Sequence, residues 1–483
     1  MSDRTLRFTD VSLSDGQSAR WAGAMTTPMA LAVASRIADT EVAVIEIASP
    51  ATLRQCLGRN EEPWQRIALL RERCRGVRLR AAISLFTEHG RRGADVVSAS
   101  VATLWLRELA AHGVSEVLHS DPFGDVERLA PVLDTARTLG LVAIAALPYV
   151  PEQADKALGV RAQALALAGA SRVMLRDDAG LLTADRLATL LPALRSGLGA
   201  TPLDLHLRCQ TALGPMLATE AVRLGIDGLD TAFAPLANGP SVPSLGTLLR
   251  SLRLLGIGAP ASAQRLHAVA EVDRQLAEIA NEQGFPSGAA WVFDLAPYAH
   301  QLPGDDAAWA MERLSALGLT HRLHAFSNEC ARVRSDLGQP PMQAPFARAI
   351  AEQALLHLQD LPRYSEIRPG VRRALQQIHA AAPAAVDASL ARRVGALPPS
   401  PPSSAAALRK TWPGASDAAL VIAQACGVSP GSQPTPAAPD SLRYQPATPA
   451  EALLAGLTAR ATRHAQLGVE GPGVSIQLQG SEG

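Results

Sequence analysis

Two guanidiniums, an imidazole and several carboxylates stand where short apolar segments of this chain end. Arg176 and Asp177 close Arg172–Leu175, His206 and Arg208 close Leu203–Leu207, Asp15 and Gln17 follow Leu6–Val11, and Glu46 lies in Val42–Ile47. Ser84, Asp121, Tyr149 and Thr231 occupy matching places. If these positions converge, arginine can clamp the carboxylate of a small dicarboxylic or oxo acid by paired hydrogen bonds, without a metal. Gln17, Glu46, Arg176, Asp177 and Arg208 are then the candidate substrate-binding residues. Asp15 and His206, the titratable groups beside the arginines, are the candidate general bases. The same residue types allow a second outcome, an internal arginine–carboxylate network that fills the space.

Convergence requires a framework that gathers strand ends. Eight short runs have strand character: Leu6–Val11, Val42–Ile47, Leu79–Leu85, Glu116–His119, Leu141–Leu147, Arg172–Leu175, Leu203–Leu207 and Gly228–Thr231. Between them lie Ala/Leu/Arg-rich helical stretches of roughly 10–18 residues, the signature of parallel βαβ units. Eight such units imply an α/β fold, a (β/α)8 TIM barrel, whose chemistry sits at the carboxyl ends of the strands. Helix signals agree: Pro28 at a helix start, Asp125 before Val126–Leu139, and Thr183 before Ala184–Ser196 with Gly197 after it. The barrel is expected over 1–260 and a helical domain over 261–396, including Ala263–Glu282. A Pro-rich extension with short helices at Ala405–Cys426 and Pro449–Gln466 fills 397–483, ending in a Gly-rich tail after Gly471. Such pieces bury little alone, so docking or partial disorder is expected.

The chain has 483 residues, 47% of them hydrophobic, with 45 basic residues against 45 acidic ones. A zero net charge excludes the basic field that nucleic acid or anionic lipid requires. No apolar run approaches the ~20 residues of a membrane span, and the start lacks a signal-peptide pattern, so a cytoplasmic location is expected. The five cysteines, Cys56, Cys74, Cys209, Cys330 and Cys426, are scattered and read as reduced thiols. His119 and His300 read as structural, His89 as solvated surface, and Trp64 as an anchor between a helix and the barrel. Cys209 has no assignable base beside it.

Thr9-Asp-Val-Ser-Leu-Ser-Asp-Gly-Gln-Ser18 resembles the opening Thr-Asp-x-x-Leu-Arg-Asp-Gly-His-Gln-Ser of oxaloacetate decarboxylase alpha subunits and pyruvate carboxylase carboxyltransferase domains. Arg176-Asp-Asp-Ala-Gly-Leu-Leu182 is similar to that family's Lys-Asp-Met-Ala-Gly-Leu-Leu. Glu61–Arg66, Asp230–Ala237, His300–Gly304 and Arg332–Pro341 match in the same order, so the resemblance runs over roughly residues 5–392. It implies an HMG-CoA-lyase-like barrel holding a divalent metal on the Asp of the opening motif, a carboxylated Lys and both His of a His-x-His. That metal polarises an oxo acid toward its enolate. Carried over, Asp15 and His206 keep their ligand positions, while Arg176 and Arg208 replace the other two. Arginine stays protonated and offers no lone pair, so no divalent metal is expected. Ser84 stands at the family's substrate-clamping Arg, Ser14 at the Arg before the metal Asp, and Ala48-Ser-Pro50 at its Trp-Gly-Gly. Neither lysine, Lys156 or Lys410, sits in a Met-Lys-Met. No biotinyl-lysine site is therefore expected, and biotin would come from a carrier on another chain.

Three readings follow. The first is a non-catalytic structural or regulatory subunit of a multi-subunit assembly such as a biotin-dependent carboxylase, as a homodimer or with another carboxylase-type subunit. The second is a metal-free enzyme or binding protein for an oxo or dicarboxylic acid using Arg176 and Arg208. The third is an active carboxyltransferase or oxaloacetate decarboxylase with an unorthodox metal sphere.

Overall fold

The computed structural model describes residues 6–88, 94–258, 260–288, 291–359, 362–378, 384–395, 403–446, 466–471 and 474–479. β1 (Arg7–Asp10), β2 (Val44–Ala48), β3 (Arg78–Ser84), β4 (Glu116–Ser120), β5 (Val142–Pro148), β6 (Arg172–Asp177), β7 (Leu203–Leu207) and β8 (Gly228–Thr231) are parallel and pair in sequence order. β1 pairs with both β2 and β8, which closes the barrel. Side chains alternate along each strand. Those of one set, such as Val117, Val173 and Leu205, join the layer under the surrounding helices, while the other set fills the lumen.

The helices begin where the chain offers a side-chain oxygen to their free amides. Thr26, Ser98, Asp125, Thr183 and Ser244 cap Thr27–Ala38, Ala99–Ala111, Val126–Thr138, Ala184–Leu198 and Leu245–Leu254. One expected stop moves. The helix from Ala184 passes Gly197 and ends at Gly199, whose φ is 56°. Gly197 serves packing instead, since a Cβ there would lie 2.4 Å from the Gly159 carbonyl oxygen of the neighbouring helix.

The lumen is unusually polar for a barrel, where bulky branched residues ordinarily dominate. At the amino-terminal end of the strands Arg7 pairs with Glu116, and Arg172 holds Asp204 at 2.7 and 2.5 Å. Above them, one side is apolar, built from Leu118, Ile144, Ala146 and Met174.

The helix Ala263–Gln283 was expected to open the second domain, yet it belongs to the barrel's core. Its Val269, Val272, Leu276 and Ile279 are buried there because the helix lies against Thr27–Ala38. A separate core from Leu302 to Leu390 defines the helical domain. It is fastened to the barrel by an aromatic trio, with Phe346 5.3 Å from Phe123 and Phe123 6.0 Å from Phe86.

The expected helix Ala405–Cys426 is two helices, Ala405–Thr411 and Asp417–Cys426, broken at Pro413-Gly414, where Gly414 has φ 86°. Residues 403–446 form a strap docked on the barrel's own flank. Leu420, Val421, Ile422 and Ala425 are buried, the last three within the barrel core, and Trp64 donates to the Ala418 carbonyl at 3.3 Å. Gln65 exchanges two 2.8 Å hydrogen bonds with the Ala437 backbone. Trp64 therefore anchors the strap as well as its helix. The expected helix Pro449–Gln466 lies almost wholly outside the described residues, and the tail read as Gly-rich after Gly471 carries a strand, Val474–Gln479, that pairs with Gln466–Gly471 in a hairpin. Among the described residues no helix is long and apolar enough to cross a membrane.

Ile422 is fully buried, so Ile422→Ala is expected to weaken strap docking by ~2–4 kcal/mol. Hydrogen exchange should then speed up in Asp417–Cys426 and leave β4 to β6 protected. Unchanged exchange in that helix would contradict the docking.

Candidate functional site

At the carboxyl ends of the strands, β6 runs on into Asp178, so Arg176 and Asp178 share the inward face and Asp177 points outward. Asp177 accepts the amides of Leu181 and Leu182 at 2.9 and 2.8 Å, which holds the turn after β6. Burial pushes its carboxyl up to about 7. Gly180 permits this turn: its φ is 66°, and a Cβ would lie 2.7 Å from the Arg208 carbonyl oxygen.

Both arginines are engaged. Arg176 binds Asp178, Nη2 to Oδ1 at 2.6 Å, with Gln343 of the helical domain donating to the other oxygen at 2.9 Å. Arg208 donates to Asp15 Oδ1 at 2.7 Å and to the Pro240 carbonyl, with Asp305 at 3.7 Å. Beneath them lies a third arginine. Arg80 spans Asp230 with bonds of 2.9 and 2.7 Å and donates to Glu46 at 2.8 Å. Glu46 accepts from the Ser14 hydroxyl at 2.6 Å, and Asp230 lies 2.9 Å from His206 Nδ1. His206 Nε2 is 3.7 Å from Asp178, which joins the two tiers.

The electrostatics follow from this pairing. Burial alone would raise the Asp178 carboxyl, but the charges of Arg176 and then His206 outweigh it and hold it at about 2. Asp230 is likewise buried, and Arg80 and His206 keep it well below the ordinary carboxylate range. Among the described residues, no group of three or more His, Cys, Asp or Glu side chains is arranged to hold a metal ion.

Above the pairs is a cavity of about 190 Å³. Asp15, Glu46, Ser84, Arg54, Arg176 and Arg208 line it from the barrel, and Asp305, Asp306 and Gln343 from the helical domain. Asp15, Glu46, His206, Arg176 and Arg208 are thus gathered as their spacing suggests. Gln17 and Asp177 are not. Gln17 bonds Gln55 at 2.7 Å and the Met25 amide at 3.3 Å, because the turn after β1 directs it behind the mouth. Asp177 faces away because strand side chains alternate. Thr231 donates to the Thr9 carbonyl at 3.3 Å, Asp121 accepts from Arg128 at 2.8 Å, and Tyr149 borders a second, small pocket with Asp177. His119 and His300 make backbone contacts at 3.1 and 2.9 Å, and burial pushes the Cys209 thiol well up. His89 lies outside the described residues.

Sequence reasoning missed Arg80, Asp178, Asp230 and Gln343. Two signals were present. Asp178 stands two residues after Arg176, just past the end of the strand and on the same side by alternation, and Arg80 stands four residues before Ser84, on the same face of β3.

No protein-family model matches the chain. The pyruvate carboxylase B subunit of Methanocaldococcus jannaschii is 23% identical over 397 residues, covering 80% of this chain and 68% of that protein. The 2-oxoglutarate carboxylase large subunit of Hydrogenobacter thermophilus is 22% identical over 395 residues, covering 81% and 60%. The chain's homologues are pyruvate carboxylase B subunits and carboxyltransferases. They also include the pyruvate carboxylase B subunit of Methanothermobacter thermautotrophicus, of whose length the chain spans 58%. Among solved structures, the carboxyl transferase domain of Rhizobium etli pyruvate carboxylase superimposes with TM-score 0.73 at 22% identity, over 88% of this chain and 76% of that one. The same domain with oxamate and biotin gives TM-score 0.74 at 20% identity, over the same shares. The barrel is thus the carboxyltransferase fold.

Two measurements check the ion pairs. Arg80→Met leaves Asp230 and Glu46 buried without their cation and is expected to lower stability by ~3–5 kcal/mol; a loss within experimental error would mean the pair is dispensable. Asp178 titrates in the folded state at about 2, below its ordinary 3.8. Its stabilisation is therefore complete above a pH of about 4 and fades as pH falls through about 2. The gap in urea midpoint between the protein and Asp178→Asn should narrow over that window. A gap independent of pH would show that Asp178 is not ionised against Arg176.

Proposed function

We propose that this carboxyltransferase-type chain does not perform metal-dependent carboxyl transfer, and that it serves as a structural or regulatory subunit of a multi-subunit assembly of the biotin-dependent carboxylase kind. The observation that carries this reading is the pairing of Arg176 with Asp178 and of Arg208 with Asp15. These guanidiniums stand where the resemblance puts the carboxylated lysine and second histidine. The residues present do not fit a divalent metal: Asp15, a retained ligand position, already holds a guanidinium, and His206 Nδ1 is committed to Asp230. An incoming cation would have to break two largely enclosed ion pairs and leave two guanidiniums unpaired beside it. No step is therefore routed through a metal.

Binding of an oxo or dicarboxylic acid is the weaker reading. The cavity is large enough for a small acid, but its arginines Arg54, Arg176 and Arg208 are outnumbered by Asp15, Glu46, Asp178, Asp305 and Asp306. A dianion would meet more carboxylate than guanidinium. Lys156 and Lys410 both lie in helices, Asp155–Leu167 and Ala405–Thr411, and neither stands in a Met-Lys-Met sequence.

Elemental analysis of the purified protein should find no stoichiometric zinc, manganese or cobalt, whereas the variant R176K/D178M/R208H, which restores the resembled ligand types, should gain divalent cation binding. Stoichiometric metal in the unaltered protein would overturn the proposal. Purification from the source organism is expected to bring a carboxylase-type chain with it at fixed ratio. Recovery of the free homo-oligomer alone would remove the subunit role.

A further inference from the structure

Large apolar side chains stand exposed together at one place in this chain. Trp291, Val292, Phe293 and Leu295 keep 42, 82, 53 and 65% of their surface exposed within five residues, whereas the other exposed large apolar residues among those described stand singly or as one pair. A concentrated patch marks a contact surface; scattered ones do not. The backbone of Trp291, Val292 and Phe293 makes no hydrogen bond to other described backbone. The segment is nonetheless fixed at its root. The Trp21 and Phe285 rings are 5.0 Å apart, and the Trp21 indole donates to the Pro286 carbonyl at 2.9 Å. Arg20 lies 5.4 Å over the Trp291 ring, and a Cβ on Gly239 would stand 2.1 Å from that ring. Trp291–Leu295 is therefore an apolar hook on a rigid base.

A groove adjoins it. Where the helices Thr27–Ala38 and Ala263–Gln283 meet the end of the strap there is a cavity of about 660 Å³, larger than the mouth cavity of about 190 Å³. Leu31 and Ile279 form its apolar floor, and Leu442, Tyr444 and Pro446 of the strap form one wall. Clefts of roughly 300–1,000 Å³ accept groups the size of several side chains. Glu282, three residues before Phe285, lines the groove and accepts from the Tyr444 hydroxyl, so the root of the hook lies at the groove's edge. None of Trp291–Leu295 lines it, so the hook does not lie in its own groove.

The free charges of the two features are opposite. Of the groove's acids, Glu278 is paired with Arg274 and Glu282 holds Tyr444. Its arginines, Arg73 and Arg443, are exposed and form no ion pair among the described residues. The hook carries one charge, Asp294, which caps the Ala296 amide at 2.9 Å and has no cationic partner among the described residues. An apolar segment with one free carboxylate is complementary to an apolar groove with two free guanidiniums, and this chain supplies both.

We propose that two copies of this chain associate by exchanging hooks, each placing Val292, Phe293 and Leu295 in the other's groove with Asp294 against Arg73 and Arg443. Because hook and groove adjoin, a two-fold axis uses both on both copies at once and closes the assembly at two; a one-sided contact would leave a hook and a groove open and run on into a filament. The strap then builds one wall of the interface. The groove shares no residue with the mouth cavity, and the inference does not rest on the subunit role proposed above.

Sedimentation of the full-length protein should show a dimer at about micromolar concentration. Phe293→Asp in the hook and Ser35→Arg at the exposed rim of the groove should each raise the dissociation constant roughly tenfold or more, with circular dichroism and thermal midpoints reporting that the fold persists. A mixture of F293D and S35R copies retains one intact hook facing one intact groove and should associate more tightly than either variant alone. Asp294→Arg should also weaken the dimer, and adding R73E and R443E should restore it. A monomer at every concentration up to about 100 μM would overturn the proposal. So would a dimer untouched by F293D or by S35R, or a loss in D294R that R73E and R443E fail to rescue.

Discussion

Arg80 sits in the lumen of the barrel, 1% exposed, with Asp230 on one edge of its guanidinium and Glu46 on the other. An enclosed cation can persist only if carboxylates surround it, and those carboxylates must then be held in turn. Glu46 is held by Ser14 and Asp230 by His206, and His206 meets the Arg176–Asp178 pair above. The geometry of the mouth is thus set from below. A charge removed in the middle tier would reach the Arg176–Asp178 pair through His206, whereas Arg208 is oriented by Asp15 and the Pro240 carbonyl.

The helical domain completes the enclosure rather than adding a separate unit. Gln343 binds Asp178, Asp305 lies near Arg208, and Gly304 passes so close to the Pro240 carbonyl oxygen that a Cβ would stand 1.9 Å from it. A glycine at that place lets the domain descend onto the mouth, and the Phe86, Phe123 and Phe346 rings fasten it there. The upper ion pairs are thereby left with only the cavity side open, since Arg176, Asp178 and Asp15 keep 17%, 12% and 17% of their side-chain surface exposed there.

The barrel was legible because its signal is periodic: strands of four to seven residues, capped helices and regular spacing repeat eight times, and local errors do not shift the count. The site was legible only by position. Alternation along β6 could have paired Arg176 with Asp178 in place of Asp177, but partners such as Arg80 with Asp230, 150 residues apart, become neighbours only when the barrel closes. The strap was legible as composition and not as contact. Its prolines mark breaks, while the burial of Leu420 to Ile422 depends on a groove made by helices more than three hundred residues earlier.

Two departures from the resembled motif bear on each other. In Arg176-Asp-Asp178 the lysine position carries arginine and the methionine position carries aspartate, and in the structure these two side chains bind each other. An arginine alone at that depth would be an unpaired buried charge, and an aspartate alone would be another; together they satisfy the site. The pair therefore reads as one change rather than two. It places a positive group, matched by its own carboxylate, at the position where the resembled motif carries lysine. The framework turn Ala179–Leu182 stands intact beside these internal ion pairs, held by the Asp177 carboxylate on the Leu181 and Leu182 amides.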